Sequence, residues 1–359
     1  MISVIGGYLL LKLILPAGDH KQQSVSEDDR ASGRQEPLQR KRASEPGRGR
    51  HAESPAHIPW QGWKDIFWRT VQEIQSDRLL AVAAGVVFYA LLALFPAVTA
   101  GVSIYALFAD AGTIAGHIGE LSALLPGGAI DIVSKQIRSI VQRGSSELTF
   151  GFIFGLGVAF WSANAGMKAI FDALNVIYDE EEKRSFIKLN LISMLFTLSA
   201  IALVLAAFAS VTVIPFVLKY AALEGGTRFI IGYGRWLGMF VVTVLALSVL
   251  YRYGPSRATA RWHWISVGSV FAAVVWMVTS ITFSWYVANF GTYNATYGSL
   301  GAAIGMMMWM WLSIIVVLVG AELNSEIEHQ TARDSTTGAP LPLGMRGAAM
   351  ADTVGEAQG

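Results

Sequence analysis

Apolar residues occur along this chain in six runs, and polar or charged segments separate one run from the next. The runs cover residues 79–107, 150–178, 189–218, 236–250, 264–288 and 297–323. At about 1.5 Å per residue, all except the short fourth run can cross roughly 30 Å of hydrocarbon. The pattern predicts an all-α fold: a polytopic membrane helix bundle with about six transmembrane helices.

Two segments outside these runs have the pattern of amphipathic helices. Residues 59–77 contain three tryptophans at helical spacing, which indicates either an interfacial helix or a juxtamembrane helix packed on the bundle. Residues 110–147 repeat isoleucine and valine at helical spacing, and we expect short interfacial or periplasmic helices that cap the bundle.

Both ends of the chain differ from the membrane part. Residues 1–16 are an apolar extension, interpreted as an extra membrane helix or a start-site artefact, with a cleaved signal as the less favoured alternative. Residues 17–58 and 331–359 are polar, and we expect both to be disordered tails around a membrane domain of residues 59–330. The basic residues at 40–42 favour a solvated or lipid-headgroup-facing tail over nucleic-acid binding.

Composition supports the membrane class, because 53% of residues are hydrophobic and 15% are charged, against roughly a quarter in globular proteins. The chain has no cysteine, and its six histidines lack a metal-ligand spacing. No phosphate-binding glycine loop and no nucleophile elbow occurs. The sequence therefore indicates a protein that is not an enzyme and has no catalytic residues, metal site or cofactor.

Basic residues set the expected orientation. With both termini inside, the inner positions are Lys64, Arg69, Arg78, Lys183, Arg184, Lys188, Arg252, Arg257, Arg261 and Arg333. The outer positions are Lys135, Arg138, Arg143, Lys219, Arg228 and Arg235. This excess predicts a multi-pass protein of the bacterial inner membrane with cytoplasmic N- and C-termini.

The second apolar run carries a polar stripe. Asn164, Lys168, Asp172 and Asn175 are spaced by four, four and three residues, which places them on one face of a helix. Lys168 and Asp172 are spaced so that they can neutralise each other. The stripe predicts either a path for a solute or ion or a buried polar network that holds the helix register.

Two further places carry candidate functional groups. Glu322 ends the sixth apolar run and is either part of the same path, near Lys168 or Lys183 and Arg184, or a carboxylate in water. The uncharged segment before that run contains Asn289, Tyr293, Asn294 and Tyr297. We interpret it as a re-entrant mouth or as an interfacial aromatic belt.

Three blocks of the sequence resemble the YihY/BrkB-type inner-membrane proteins, a family formerly labelled ribonuclease BN. They are AAGVVFYALLALFPAVTA at 83–100, FWSANAGMKAIFDALNVIYDEEEKR at 160–184, and the stretch from FSWYVANFGTYNATYGSLG to VGAELNSEIE at 283–328. The resemblance implies a six-span inner-membrane protein without a settled activity and with a virulence-factor label. It also implies that the ribonuclease name is a misassignment.

These observations lead to two functional hypotheses. The first is a transporter or exporter of an unidentified solute through the polar stripe. The second is a non-transporting scaffold that organises the envelope through residues 59–77 and the outer cap. The expected partners are the lipid bilayer, anionic lipid headgroups and an unknown solute, with no nucleic acid; the sequence does not set the oligomeric state.

Overall fold

The computed structural model describes residues 37–108, 145–220, 225–290 and 300–358 of the chain. Within those ranges all extended regular structure is helical, and one isolated bridge joins Ala260 to Thr336. The predicted all-α fold is therefore confirmed. The apolar extension at 1–16 and most of the predicted cap at 110–147 lie outside the described residues.

Six long helices of 29 to 35 residues follow one amphipathic helix. In chain order the elements are α1 (Trp60–Ser76), α2 (Leu79–Phe108), α3 (Ser145–Ile177), α4 (Phe186–Tyr220), α5 (Gly225–Tyr253), α6 (Trp262–Phe290), α7 (Leu300–His329) and the short α8 (Ala349–Asp352). A further short helix covers residues 37–43, and a 3-10 turn covers Pro55–His57.

Four of these helices contain apolar stretches long enough to cross a membrane. The stretches are Phe186–Ala207, Trp236–Tyr253, Trp262–Val287 and Ala303–His329. A fifth span results if α1 and the start of α2, which meet at a bend of 59°, count as one. The described residues thus contain four or five candidate spans, and the count of six stays a prediction.

The long helices converge at one end of the bundle, which we call the packed end. It contains the starts of α2, α4 and α6 and the ends of α3, α5 and α7, together with the loops 178–185 and 254–261. Helix α7 is central there, because it packs against α1, α2, α3 and α6. Away from this end the helices expose many large apolar side chains, as lipid-facing surfaces do.

Helix α1 combines the two roles proposed for it. One face, which includes Ile66, Arg69 and Thr70, is buried against the bundle. The opposite face exposes Trp60, Phe67 and Trp68. An amphipathic helix with an exposed aromatic face suits the boundary between water and hydrocarbon.

Two glycines allow α6 and α7 to approach closely. A Cβ atom on Gly268 would lie 2.1 Å from the carbonyl oxygen of Gly320. A Cβ atom on Gly320 would lie 2.6 Å from the Cβ of Ala272 and 2.7 Å from the Tyr251 hydroxyl. Small residues at a helix crossing bring the backbones into contact, which is a common way to pack helices in a membrane.

Tryptophan side chains join the same two helices farther from the packed end. Trp276 of α6 donates to Ser313 of α7 over 3.0 Å, and Trp309 of α7 donates to Ser280 of α6 over 3.2 Å. The two bonds run in opposite directions, so each helix supplies one indole and one hydroxyl. They hold α6 and α7 in register along the crossing.

The described parts of both tails are folded, which differs from the expected disorder. Arg50 is buried and donates to the carbonyl oxygens of Gln330 and Gly355, over 3.2 and 2.7 Å. The amide of Ala332 donates to the Arg50 carbonyl over 2.8 Å. Composition predicted disorder because these segments lack an apolar core of their own. They are ordered instead by hydrogen bonds to each other and to the packed end.

The glycine crossing leads to a test with a control on the same helix. Gly320→Ala should destabilise the protein by about 1–3 kcal/mol, because the added methyl group has no room between α6 and α7. Gly305→Ala should be neutral or slightly stabilising, since no described atom lies within 4 Å of its Cβ position. The measurement is the thermal melting temperature in detergent, and equal melting temperatures for the two variants would contradict the close crossing.

Candidate functional site

The polar stripe of α3 does not face a single partner. Asn164 and Asn175 are buried, Lys168 is half-buried and Asp172 is exposed. Asn164 and Lys168 turn toward α4, whereas Asn175 lies at the packed end. The face predicted from the spacing is therefore divided between two environments.

Helix α4 supplies the partners of the first two stripe residues. The Thr197 hydroxyl donates to the Asn164 side-chain oxygen over 3.4 Å. The Lys168 ammonium donates to the Asn190 side-chain oxygen and lies 6.0 Å from the centre of the Phe186 ring. We call the four polar residues Asn164, Lys168, Asn190 and Thr197 the α3–α4 seam.

Sequence reasoning missed the α4 half of this seam. Asn190, Ser193 and Thr197 are spaced by three and four residues, so they lie on one face of α4. The signal was available, but single hydroxyl and amide groups in an apolar run are weaker markers than a lysine. What the sequence could not give is that this face meets the stripe of α3.

The expected neutralisation of Lys168 by Asp172 does not occur in the structure. Asp172 is exposed, and the ammonium of Lys168 bonds to a neutral amide instead. Four-residue spacing permits an ion pair on a helix, but the neighbouring helix offers the lysine an acceptor on its other side. The seam consequently contains a cation bonded to a group without charge.

Asn175 joins two loops at the packed end. Its side-chain oxygen accepts from the Ser256 amide over 2.7 Å, and its amide group donates to Glu182 over 3.1 Å. Arg184 also binds Glu182, at 2.7 Å, and donates to the Gly254 carbonyl over 2.8 Å. These bonds tie loop 178–185 to loop 254–261, which is a structural role.

The electrostatics of this junction favour an ionised Glu182. Hydrogen bonds from the Arg184 side chain, opposed by partial burial and aided by the Arg184 backbone and Asn175, lower the pKa of Glu182 to about 2. Nearby, burial raises the pKa of Asp179, and the carboxylates of Glu73 and Glu326 add to the rise. The pKa values of the two loop acids are thus shifted in opposite directions.

Glu322 lies away from the seam. It is fully buried in the last turns of α7, and the charged groups that act on it are the acids Glu73, Asp77, Asp179 and Glu326. It meets neither Lys168 nor the pair Lys183 and Arg184, whose bonds go to Asn190, Glu180 and Glu182. The structure therefore places Glu322 in a second polar region rather than on the stripe.

Of the predicted mouth, the structure describes only Asn289. It is exposed near the end of α6 and donates to the Trp285 carbonyl over 2.8 Å. Tyr293, Asn294 and Tyr297 lie outside the described residues. Among the residues that are described, no group of three or more histidines and acids has the arrangement of a metal site.

Taken together, the geometry defines a helical membrane protein with a polar seam between two of its helices and a buried polar end. Comparison with known proteins then identifies the family. The family described as "Virulence factor BrkB" matches residues 70–341, and the chain belongs to it. No solved structure matches the chain.

Individual relatives agree with this assignment. YfkH of Bacillus subtilis, named as a ribonuclease-like protein, is 31% identical over 73% of this chain and 93% of its own length. A UPF0761 membrane protein of Alkalilimnicola ehrlichii is 30% identical over 74% of this chain and 59% of its own. A UPF0761 membrane protein of Alteromonas mediterranea is 25% identical, covering 74% and 88%. These names indicate a bacterial membrane protein, and the family description names no reaction.

The loop junction gives a pH test. A carboxyl whose pKa is lowered on folding stabilises the protein above its unfolded pKa and loses that contribution as pH falls through the folded value. The stabilising contribution of Glu182 is therefore lost as the pH falls from 4.5 to about 2. The melting temperature of the protein should therefore fall between pH 6 and pH 3 by more than that of Glu182→Gln.

The matched control is Glu181→Gln, because Glu181 is the exposed neighbour on the same loop. Its melting temperatures should follow those of the unmodified protein at both pH values. Identical profiles for Glu182→Gln and the unmodified protein would show that the Arg184 pair does not stabilise the loop junction.

Proposed function

We propose that this protein is a transporter or exporter in the bacterial inner membrane, and that its solute moves along the α3–α4 seam. The observation that carries the proposal is Lys168, a half-buried ammonium in the 33-residue helix α3 whose bonded partner is the neutral Asn190. A charged group in such a place is costly unless it serves a bound or passing ligand. Its positive charge selects a solute with an acidic group.

The packing of α4 supports a seam that opens. Within the part of the chain that the structure describes, helix α4 packs appreciably only against α3 and α5, and its apolar stretch is largely exposed. In contrast, α3 lies along α2 and α6 lies along α7 over long distances. Separating α4 from α3 therefore costs less packing than separating α3 from α2 or α6 from α7. A solute can thus reach Lys168 without disturbing the packed end.

The distribution of basic residues supports an orientation of the transporter in the membrane. The excess of basic residues in the loops of the packed end supports an orientation with that end and both termini on the cytoplasmic side. The sequence predicts a path lined by Asn164, Lys168, Asp172, Asn175 and Glu322. Of these residues, Asn164 and Lys168 form the centre of the proposed path. The protein acts without a cofactor, carries out no catalysis and binds no nucleic acid.

The second candidate is a non-transporting scaffold. It is favoured by the folded tails, because residues 37–58 and 331–358 present a formed surface around α1 at the packed end. In that case the seam is a satisfied polar network that holds α3 and α4 in register. The two candidates differ in whether water reaches Lys168.

Single cysteines distinguish them, since the chain has none of its own. Lys168→Cys and Asn190→Cys test the seam, and Met167→Cys and Ile170→Cys are neighbours outside it. Each variant is treated in membranes with an impermeant thiol reagent, which reacts only where water admits it. For a transporter, the seam cysteines should react roughly tenfold faster than the controls, because the reacting thiolate forms only in water.

Slow reaction at all four positions would refute the transport proposal and leave the scaffold. Fast reaction at all four would also refute it, because a generally open bundle has no specific path. The stripe positions 164, 172 and 175 complete the scan. Cysteine at 175 should be protected, since Asn175 is buried between two loops.

A further inference from the structure

Three buried glutamates follow one another in the last turns of α7, and they differ in their partners. Glu322, Glu326 and Glu328 are all at most 1% exposed. Two of them form ion pairs with arginines, whereas Glu322 has no hydrogen-bond partner for either carboxyl oxygen within the described residues. Three glutamates on the same turns of one helix therefore have different environments.

The two paired glutamates have strong partners. Arg257 binds Glu328 with two hydrogen bonds of 2.6 and 3.0 Å, and Ser335 donates to the same carboxylate over 3.0 Å. Arg69 of α1 binds Glu326 through its side chain and donates to the Glu326 carbonyl over 3.3 Å. Ionised carboxylates are stable in a protein interior under these conditions, because each charge is compensated.

The surroundings of Glu322 are acidic, in contrast to the arginines that pair with Glu326 and Glu328. The charged groups that act on it come from α1, the α1–α2 turn, the loop after α3 and α7 itself, and all are acids: Glu73, Asp77, Asp179 and Glu326. The nearby Tyr178 hydroxyl is also buried and without a hydrogen-bond partner among the described residues. The arginine closest to that tyrosine, Arg257, is occupied by Glu328.

An ionised carboxylate cannot remain in such a place at an acceptable cost. Burying an unpaired charge costs several kcal/mol or more, and neighbouring negative charges increase that cost. A protonated carboxyl carries no charge, and burying it costs much less. The neutral acid is therefore the form that this packing accommodates.

We propose that Glu322 is a proton-binding site, which holds a proton while the packed end is closed and releases it only when water or a cation reaches it. Gly320, two residues before Glu322, lies at the close crossing of α6 and α7. Glu73 and Asp77, in contrast, belong to α1 and its turn. An ionised Glu322 is repelled by these acids, so loss of the proton weakens the contact of α1 and its turn with α7 more than the α6–α7 crossing.

The proton site bears on transport only if the proposed function holds. In a transporter, a group that exchanges a proton as the packed end opens and closes can couple solute movement to a proton gradient. In a scaffold, the same group makes the packed end sensitive to pH. The protonation of Glu322 itself does not depend on either role.

Infrared spectroscopy of the full-length protein in nanodiscs tests the proton directly. A protonated carboxylic acid has a carbonyl stretching band that a carboxylate lacks. The difference spectrum between the unmodified protein and Glu322→Gln at pH 7 should contain this band. A difference spectrum with carboxylate bands instead would overturn the proposal.

Matched variants on the same helix test the contrast among the three glutamates. At pH 7, Glu322→Gln and Glu322→Met should fold and melt at or above the temperature of the unmodified protein, because neither removes a charge that the structure uses. Glu326→Gln and Glu328→Gln should melt at lower temperatures, since each leaves an arginine buried without its partner. Equal losses for all four variants would overturn the proposal.

The pH dependence has a definite sign. A free carboxyl of the unfolded chain ionises near pH 4.3, whereas folded Glu322 keeps its proton, so the folded state binds more protons above that pH and loses stability as pH rises. The melting temperature of Glu322→Gln minus that of the unmodified protein should therefore increase from pH 5 to pH 8. A constant difference would overturn the proposal. The seam cysteines report on transport separately, so the two proposals can fail independently.

Discussion

The last turns of α7 are polar and yet buried, and most contacts at the packed end depend on them. Ser325 donates to the Ile177 carbonyl at the end of α3, and Asn324 accepts from the Gly268 amide of α6. Glu326 and Glu328 bind arginines from α1 and from the α5–α6 loop. A polar helix end in the centre of a bundle is stable only if other elements supply its partners. The helices and loops around α7 are arranged to supply them.

This constraint separates the molecule into two regions with different physics. At the packed end many polar groups are paired, and within the described residues Glu322 differs from its neighbours Glu326 and Glu328 because neither of its carboxyl oxygens has a hydrogen-bond partner. In the α3–α4 seam the contacts are fewer, and among the described residues the Lys168 ammonium donates to one amide and lies near one aromatic ring. The packed end is therefore held by many side-chain bonds, whereas α4 is lightly packed against α3.

Membership of the BrkB family covers the spans and the beginning of the C-terminal segment, but residues 37–58 lie before the matched range of 70–341. The arm formed by 37–58 is nevertheless joined to the packed end through Arg48, which binds Asp65 of α1, and through Arg50. Arg50 of the arm donates to the Gly355 carbonyl, and the Gln358 amide donates to Asp65 of α1, so the two terminal segments close a clasp over α1. The clasp explains why residues 37–58 and 331–358 are ordered despite their polar composition.

The sequence by itself determined the helices of the bundle, their order and the presence of a polar stripe on α3. Hydrophobic runs and helical spacing are local properties, and they need no knowledge of neighbours. The observed helix ends differ from the predicted ends mainly where polar residues continue a helix. An example is α7, which extends through Glu322 to His329. Polar residues ended the apolar run but did not end the helix.

The tertiary structure alone decided how the polar groups were distributed. It turned Lys168 toward Asn190 rather than Asp172, placed Asn175 in a loop junction, and left Glu322 among acids instead of beside a lysine. It also ordered the described parts of the tails, residues 37–58 and 331–358, which composition predicted to be disordered. The physical reason is common to these cases: a hydrogen bond or ion pair between distant residues depends on packing, and the spacing along one helix carries no information about the partner it will meet.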